Sequence, residues 1–119
     1  MTEPRPAATD TDIDAADGDL GVVQTLLQSD DAVAVEAATA LLFSVDRALR
    51  TLASAPDTDT ETARRLLSIR ADLSGHLLAA GALETAGAPA AGVARMLRRA
   101  AEIARAGLGM RAPVGAGRG

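Results

Sequence analysis

The sequence predicts an all-α fold, a small antiparallel helical bundle of three long helices preceded by a short one. Three observations carry this expectation. Apolar residues recur at alternating spacings of three and four through most of the chain, the repeat that gathers them on one side of a helix. No stretch alternates apolar and polar residues as a half-buried strand does. The breaks between periodic stretches are short and rich in capping and helix-stopping residues.

The elements follow in order. Residues 1–17 are rich in Asp, Thr, Ala and Pro with few apolar groups, so they are expected to form a disordered acidic segment. Asp17-Gly18-Asp19 reads as a turn into an N-cap, and Leu20, Val22, Val23, Leu26 and Leu27 give a short first helix over about residues 19–28. Ser29-Asp30-Asp31 then caps a second helix, about 31–54, and places negative charge at the positive end of its dipole. Val35, Ala38, Leu42, Val45, Leu49 and Leu52 form the cleanest stripe in the chain, flanked by Ala34, Leu41 and Ala48, and Pro56 ends it.

Thr58 and Glu61 have the spacing of a capping box for a third helix, about 59–81. Its predicted inner face is Ala63, Leu66, Ile69, Leu73, Leu77 and Ala80, with Leu67 and Leu78 alongside and Gly81 as C-cap, unless residues 82–86 add another turn. The tight connection before it makes helices two and three an antiparallel hairpin. Gly87-Ala88-Pro89 opens a fourth helix, about 89–107, with Pro89 as its first residue. Val93, Met96, Leu97, Ala100, Ile103 and Ala104 lie on its apolar side, and Gly107 and Gly109 close it. The bundle domain is thus expected over residues 18–108, followed by a flexible tail over 109–119.

The charges are unevenly divided. Residues 1–61 carry thirteen acids and three arginines, a balance of −10, whereas residues 62–119 carry three acids and nine arginines, a balance of +6. Such asymmetry points to charged partners or tails. The 48% apolar content is mainly Ala, Leu and Val with Phe43 as the one aromatic, so each helix contact buries little area and a second copy or partner is expected to help. The N-terminal residues lack the apolar segment of a signal peptide. The longest apolar stretch, 14 residues over 32–45, contains Glu36 and is short for a bilayer span, so the expected location is the cytoplasm.

Catalytic chemistry finds little support in the residue types. There is no Cys and no Tyr, and all twelve Lys or Arg positions are Arg. The single histidine, His76, stands four residues after Asp72, a helix-surface pair, while Ser74 lies on another side of the helix and cannot complete a triad. No Glu lies three residues before His76 as a di-iron bundle requires. A calcium loop starting at Asp10 would need Gly at position 15 and Glu at 21, where Ala15 and Gly21 stand. Started at Asp57, the same pattern meets Thr62 and Ser68. No phosphate-binding glycine motif follows a strand. No enzyme activity, cofactor or metal is therefore expected.

What remains is an arginine face on the fourth helix. Arg95, Arg98, Arg99 and Arg105, joined by Arg64, Arg65 and Arg70 on the third, could hold phosphate or carboxylate. Their expected role is recognition of a protein partner with an acidic surface, with Leu42, Val45 and Leu49 associating helices, homodimerisation through helix two included. The sequence thus predicts a non-catalytic interaction module: an adaptor, chaperone-like protein or regulatory subunit. The alternative is a DNA-associated regulator using the same arginines on duplex phosphates. Against it stand the net charge of −4, the lack of stacking aromatics and the scarcity of base-reading amides. The acidic segment 1–17 could fold over the arginines and compete with such a ligand.

Overall fold

The computed structural model of the protein describes residues 8–29 and 31–109. They form four helices, α1 (Ala8–Leu26), α2 (Ala32–Ala53), α3 (Thr60–Thr85) and α4 (Ala90–Gly109), with no strand among the described residues. α1 packs on α2 and α4, and α3 packs on the same two, while α2 and α4 also meet across the middle. Connections of four to six residues force consecutive helices to run in opposite directions. The first and last helices are also antiparallel, because Arg98 of α4 meets Leu27 at the end of α1 and Arg105, farther along α4, meets the earlier Asp17.

The α2 stripe behaves as its spacing requires. Val35, Ala38, Leu42, Val45, Leu49 and Leu52 are all buried. Asp31 caps the helix, accepting from the Val33 amide at 3.5 Å. α3 buries Leu66, Ile69, Leu73, Leu77 and Ala80, whereas Leu67 and Leu78 face solvent. α4 buries a stripe of small residues, Ala94, Ala100, Ala101 and Ala104, between Val93, Leu97 and Leu108, with Met96 and Ile103 half-buried at its edge. Short side chains let neighbouring backbones approach closely.

The first helix differs most from expectation. α1 starts at Ala8 and spans 19 residues, so residues 8–17 are helical rather than disordered. Ile13 and Ala16 extend the set Leu20, Val23, Leu27 backwards at the same alternating spacing, and all five are buried. The apolar positions in this acidic stretch are few but correctly spaced, and burial against α2 and α4 outweighs its poor helix composition. The bundle therefore begins ten residues before the expected boundary at residue 18. Residues 1–7 and 110–119, and with them most of the expected tail, lie outside the described residues.

Four boundaries also shift. The N-cap of α3 is Asp59 rather than Thr58: its carboxylate accepts from the Thr62 amide at 3.3 Å. Thr58 instead donates its hydroxyl at 2.7 Å to the Leu52 carbonyl, which also accepts from the Ala55 amide at 3.2 Å. α3 runs through Gly81 to Thr85, and the turn is made by Gly87, whose φ of +82° suits glycine. Pro89 precedes α4, its carbonyl accepting from the Gly92 amide at 2.9 Å. α4 continues past Gly107 to Gly109.

Candidate functional site

The arginine face of α4 is divided by its neighbours. Arg98 and Arg105 lie seven residues apart, on the side that meets α1, together with the fully buried Ala94 and Ala101. Arg105 spans the α1 surface. Its Nε donates to Asp17 Oδ1 at 3.0 Å, Nη2 to Asp17 Oδ2 at 3.2 Å and Nη1 to Gln24 Oε1 at 2.7 Å. Asp17, Gly21 and Gln24 stand at i, i+4 and i+7, one face of α1. A Cβ at Gly21 would lie 3.3 Å from Arg105 Nη1, so the glycine leaves the path along which the guanidinium crosses.

The two-pronged bond to Asp17 is the strong, geometrically specific kind. Hydrogen bonding to Asp17, followed by its charge, holds the Arg105 proton above the ordinary arginine range. Both side chains remain more than a third exposed, 39% and 38%, so water screens much of the attraction. Arg98 reaches the other end of the helix, where Nη1 donates to the Leu27 carbonyl at 2.7 Å. That oxygen is among those the end of α1 leaves without a helical partner, and a cation there also complements the dipole.

Arg95 and Arg99 remain. Both are exposed on the outer surface of α4 and neither makes an ion pair or hydrogen bond to another described residue. On α3, Arg64 is exposed, while Arg70 pairs with Asp46 of α2 at 3.3 Å. The Arg70 N–H does not point at the carboxylate, which makes this an ion pair without a hydrogen bond. Arg65 borders a shallow groove of about 460 Å³ between α3 and α4, beside Asp72 and the half-buried Ile103. The structure thus separates the seven arginines into a pair that fastens α1, one that joins α2 to α3, and exposed or half-exposed cations on α3 and α4.

The expected association residues are not at the surface. Leu42, Val45 and Leu49 are at most 1% exposed inside the bundle of a single chain, so they cannot also form a seam between two copies without opening it. α1, longer than expected, packs on α2 and helps to cover the stripe within one chain. Exposed apolar side chains lie elsewhere, at Val22 on α1, Val33 and Phe43 on α2, and Leu67 and Leu78 on α3.

His76 is half-buried, and its ring Nδ1–H donates to the Asp72 backbone carbonyl at 2.8 Å rather than pairing with the carboxylate. No cluster of three or more His, Cys, Asp or Glu residues with metal-binding geometry occurs among the described residues. No described helix is long and apolar enough to cross a membrane.

Sequence reasoning missed Asp17, Gly21 and Gln24 as one unit. The signal was present: an acid, a glycine and an amide at helical spacing, once the helix is allowed to begin before residue 17. Comparison with protein-family models, characterised proteins and solved structures gives no match to this chain.

Proposed function

We propose that this protein is a non-catalytic helical interaction module, an adaptor, chaperone-like or regulatory subunit, that binds a partner protein with an acidic surface. The observation that supports this reading is the pair Arg95 and Arg99, one turn apart on the outer face of α4 and both exposed without a carboxylate from the described chain. Guanidinium groups held on a rigid helix recognise carboxylates by charge and by paired hydrogen bonds. Arg98 and Arg105 serve a different end here. They are engaged with α1, so they support the outer pair by fixing the helix that carries it.

The test is affinity capture of the tagged chain, with and without nuclease, eluted in a salt gradient, for wild type and for Arg95→Glu/Arg99→Glu. A nuclease-resistant protein recovered near one-to-one by wild type and lost by the double variant is the expected result. Equal retention by both chains would remove these arginines from the site. Nucleic acid leaving at modest salt, with no protein retained, would replace this reading with binding to duplex phosphates.

A further inference from the structure

We propose that α1 is an exchangeable helix, and that the α2–α4 groove it fills accepts in its place an acidic amphipathic helix from a partner protein. This deepens the reading above by naming the partner element, and it rests on that reading only for the existence of a partner. The groove is already seen with one occupant. α1 lays Ile13, Ala16, Leu20, Val23 and Leu27 between α2 and α4, all buried, while Arg105 and Arg98 grip it from α4.

The contacts that Arg105, Arg98 and the apolar stripe make with α1 can be offered by another helix. The apolar positions need only the three-and-four spacing. Arg105 needs a carboxylate, a residue without bulk four positions later and an amide three beyond that, the arrangement of Asp17, Gly21 and Gln24. Arg98 needs a carbonyl at a helix C-terminus, a group of every helix. The carboxylate of Asp17, held by Arg105, shows the sign of charge that this side of α4 selects.

α1 is also poorly built to keep its place. It carries two glycines in its interior and four aspartates within residues 12–19, residue types that weaken a helix. Gly21 is needed where Arg105 crosses. Gly18 is not, since a Cβ there would meet nothing within 4 Å. Packing does not ask for the flexibility at Gly18, which lowers the cost of unwinding α1. Its departure leaves α2, α3 and α4 in contact with one another. A competitor then meets a site reduced in apparent affinity by the fraction of chains in which α1 is out.

The experiment titrates a fluorescent peptide of residues 8–29, standing in for the partner helix, into the full chain and two full-chain variants. Gly18→Ala strengthens the resident helix without steric penalty and should weaken peptide binding about five-fold, the Gly-to-Ala helix preference expressed as affinity. Asp17→Asn loosens the resident helix and should tighten it. Replacing Asp17 by Asn in the peptide should cost affinity against the wild-type chain but not against Arg105→Gln, which places the peptide in the same groove. Equal affinity across the chain variants would overturn the proposal, as would no binding to the Asp17→Asn chain at several hundred micromolar. Dimers of the full chain without peptide binding would do the same, by making a second copy the occupant. These outcomes do not touch Arg95 and Arg99, so failure here and failure of the capture experiment are distinguishable.

Discussion

Arg105 crosses α1 over Gly21, with its Nη1 3.3 Å from the point where a Cβ on that glycine would stand. Gly18, one turn earlier on the same helix, faces open space. Replacing each by alanine therefore separates helix preference from fit. Gly18→Ala should stabilise the fold by about 1 kcal/mol. Gly21→Ala gains the same preference but displaces the guanidinium by a few tenths of an ångström, so its net effect should be smaller, and Gly21→Leu should be destabilising. Urea unfolding of the three variants measures the differences.

A closer approach occurs between α3 and α4. A Cβ at Gly107 would lie 2.7 Å from Ile69 Cγ1 and 2.9 Å from its Cδ1. Gly107→Ala should cost about 1–3 kcal/mol despite the better helix preference, because the added methyl overpacks the contact. The cost should shrink in an Ile69→Val background, which removes one of the two clashing atoms. A double-mutant cycle that finds the two changes additive would show that the helices separate elsewhere.

Leu49 lies at 0% exposure in the core of one chain. Leu49→Ala should lower unfolding free energy by about 2–5 kcal/mol. Thermal midpoints measured across a hundredfold range of protein concentration should show the same loss throughout. A loss that varied with concentration would return Leu49 to an interface between copies.

Asp59 caps α3, and its hydrogen bonds with Thr62 hold its carboxyl below the ordinary aspartate value of 3.8. The folded state therefore binds this proton less readily than the unfolded state, and stability rises with pH across the interval between the two. The contribution is fully present above 3.8 and disappears as pH falls through the lower folded value. Asp59→Asn keeps a capping oxygen and removes the titration. Its stability should lose less than that of wild type as pH is taken from 5 to 2, as followed by helical circular dichroism in urea.

The arginines of α4 should separate by assay. Arg98→Ala leaves the Leu27 carbonyl without its donor and should cost about 1 kcal/mol of stability. Arg95→Glu and Arg99→Glu change exposed positions and should alter stability by no more than about 0.5 kcal/mol. A stability loss at Arg95 or Arg99 comparable to that at Arg98 would mean that the outer pair is structural as well.

How far the sequence could be read varies with the element. α2 was legible to the residue because its six inner positions are all apolar and Asp31 marks its start. α1 was legible only from Leu20 onward. Composition treats residues 8–17 as acidic and unstructured, yet Ile13 and Ala16 keep the period, and periodicity is the better guide when tertiary burial supplies the energy. The division of the arginines was not legible at all. Arg95, Arg98, Arg99 and Arg105 surround the polar half of a helix, and the packing of α1 on one flank decides which of them it takes. A helix wheel fixes angles but not neighbours.

The Arg105–Asp17 contact joins residues 88 positions apart. At translation rates of about 5–20 residues per second, Asp17 waits roughly 4–18 s for Arg105 to be synthesised. During that interval α1 has at most α2 to pack on, and the flank that α4 will cover lacks its partner. The bundle therefore closes late in the life of each nascent chain, and the order of synthesis exposes the acidic helix before its arginines exist.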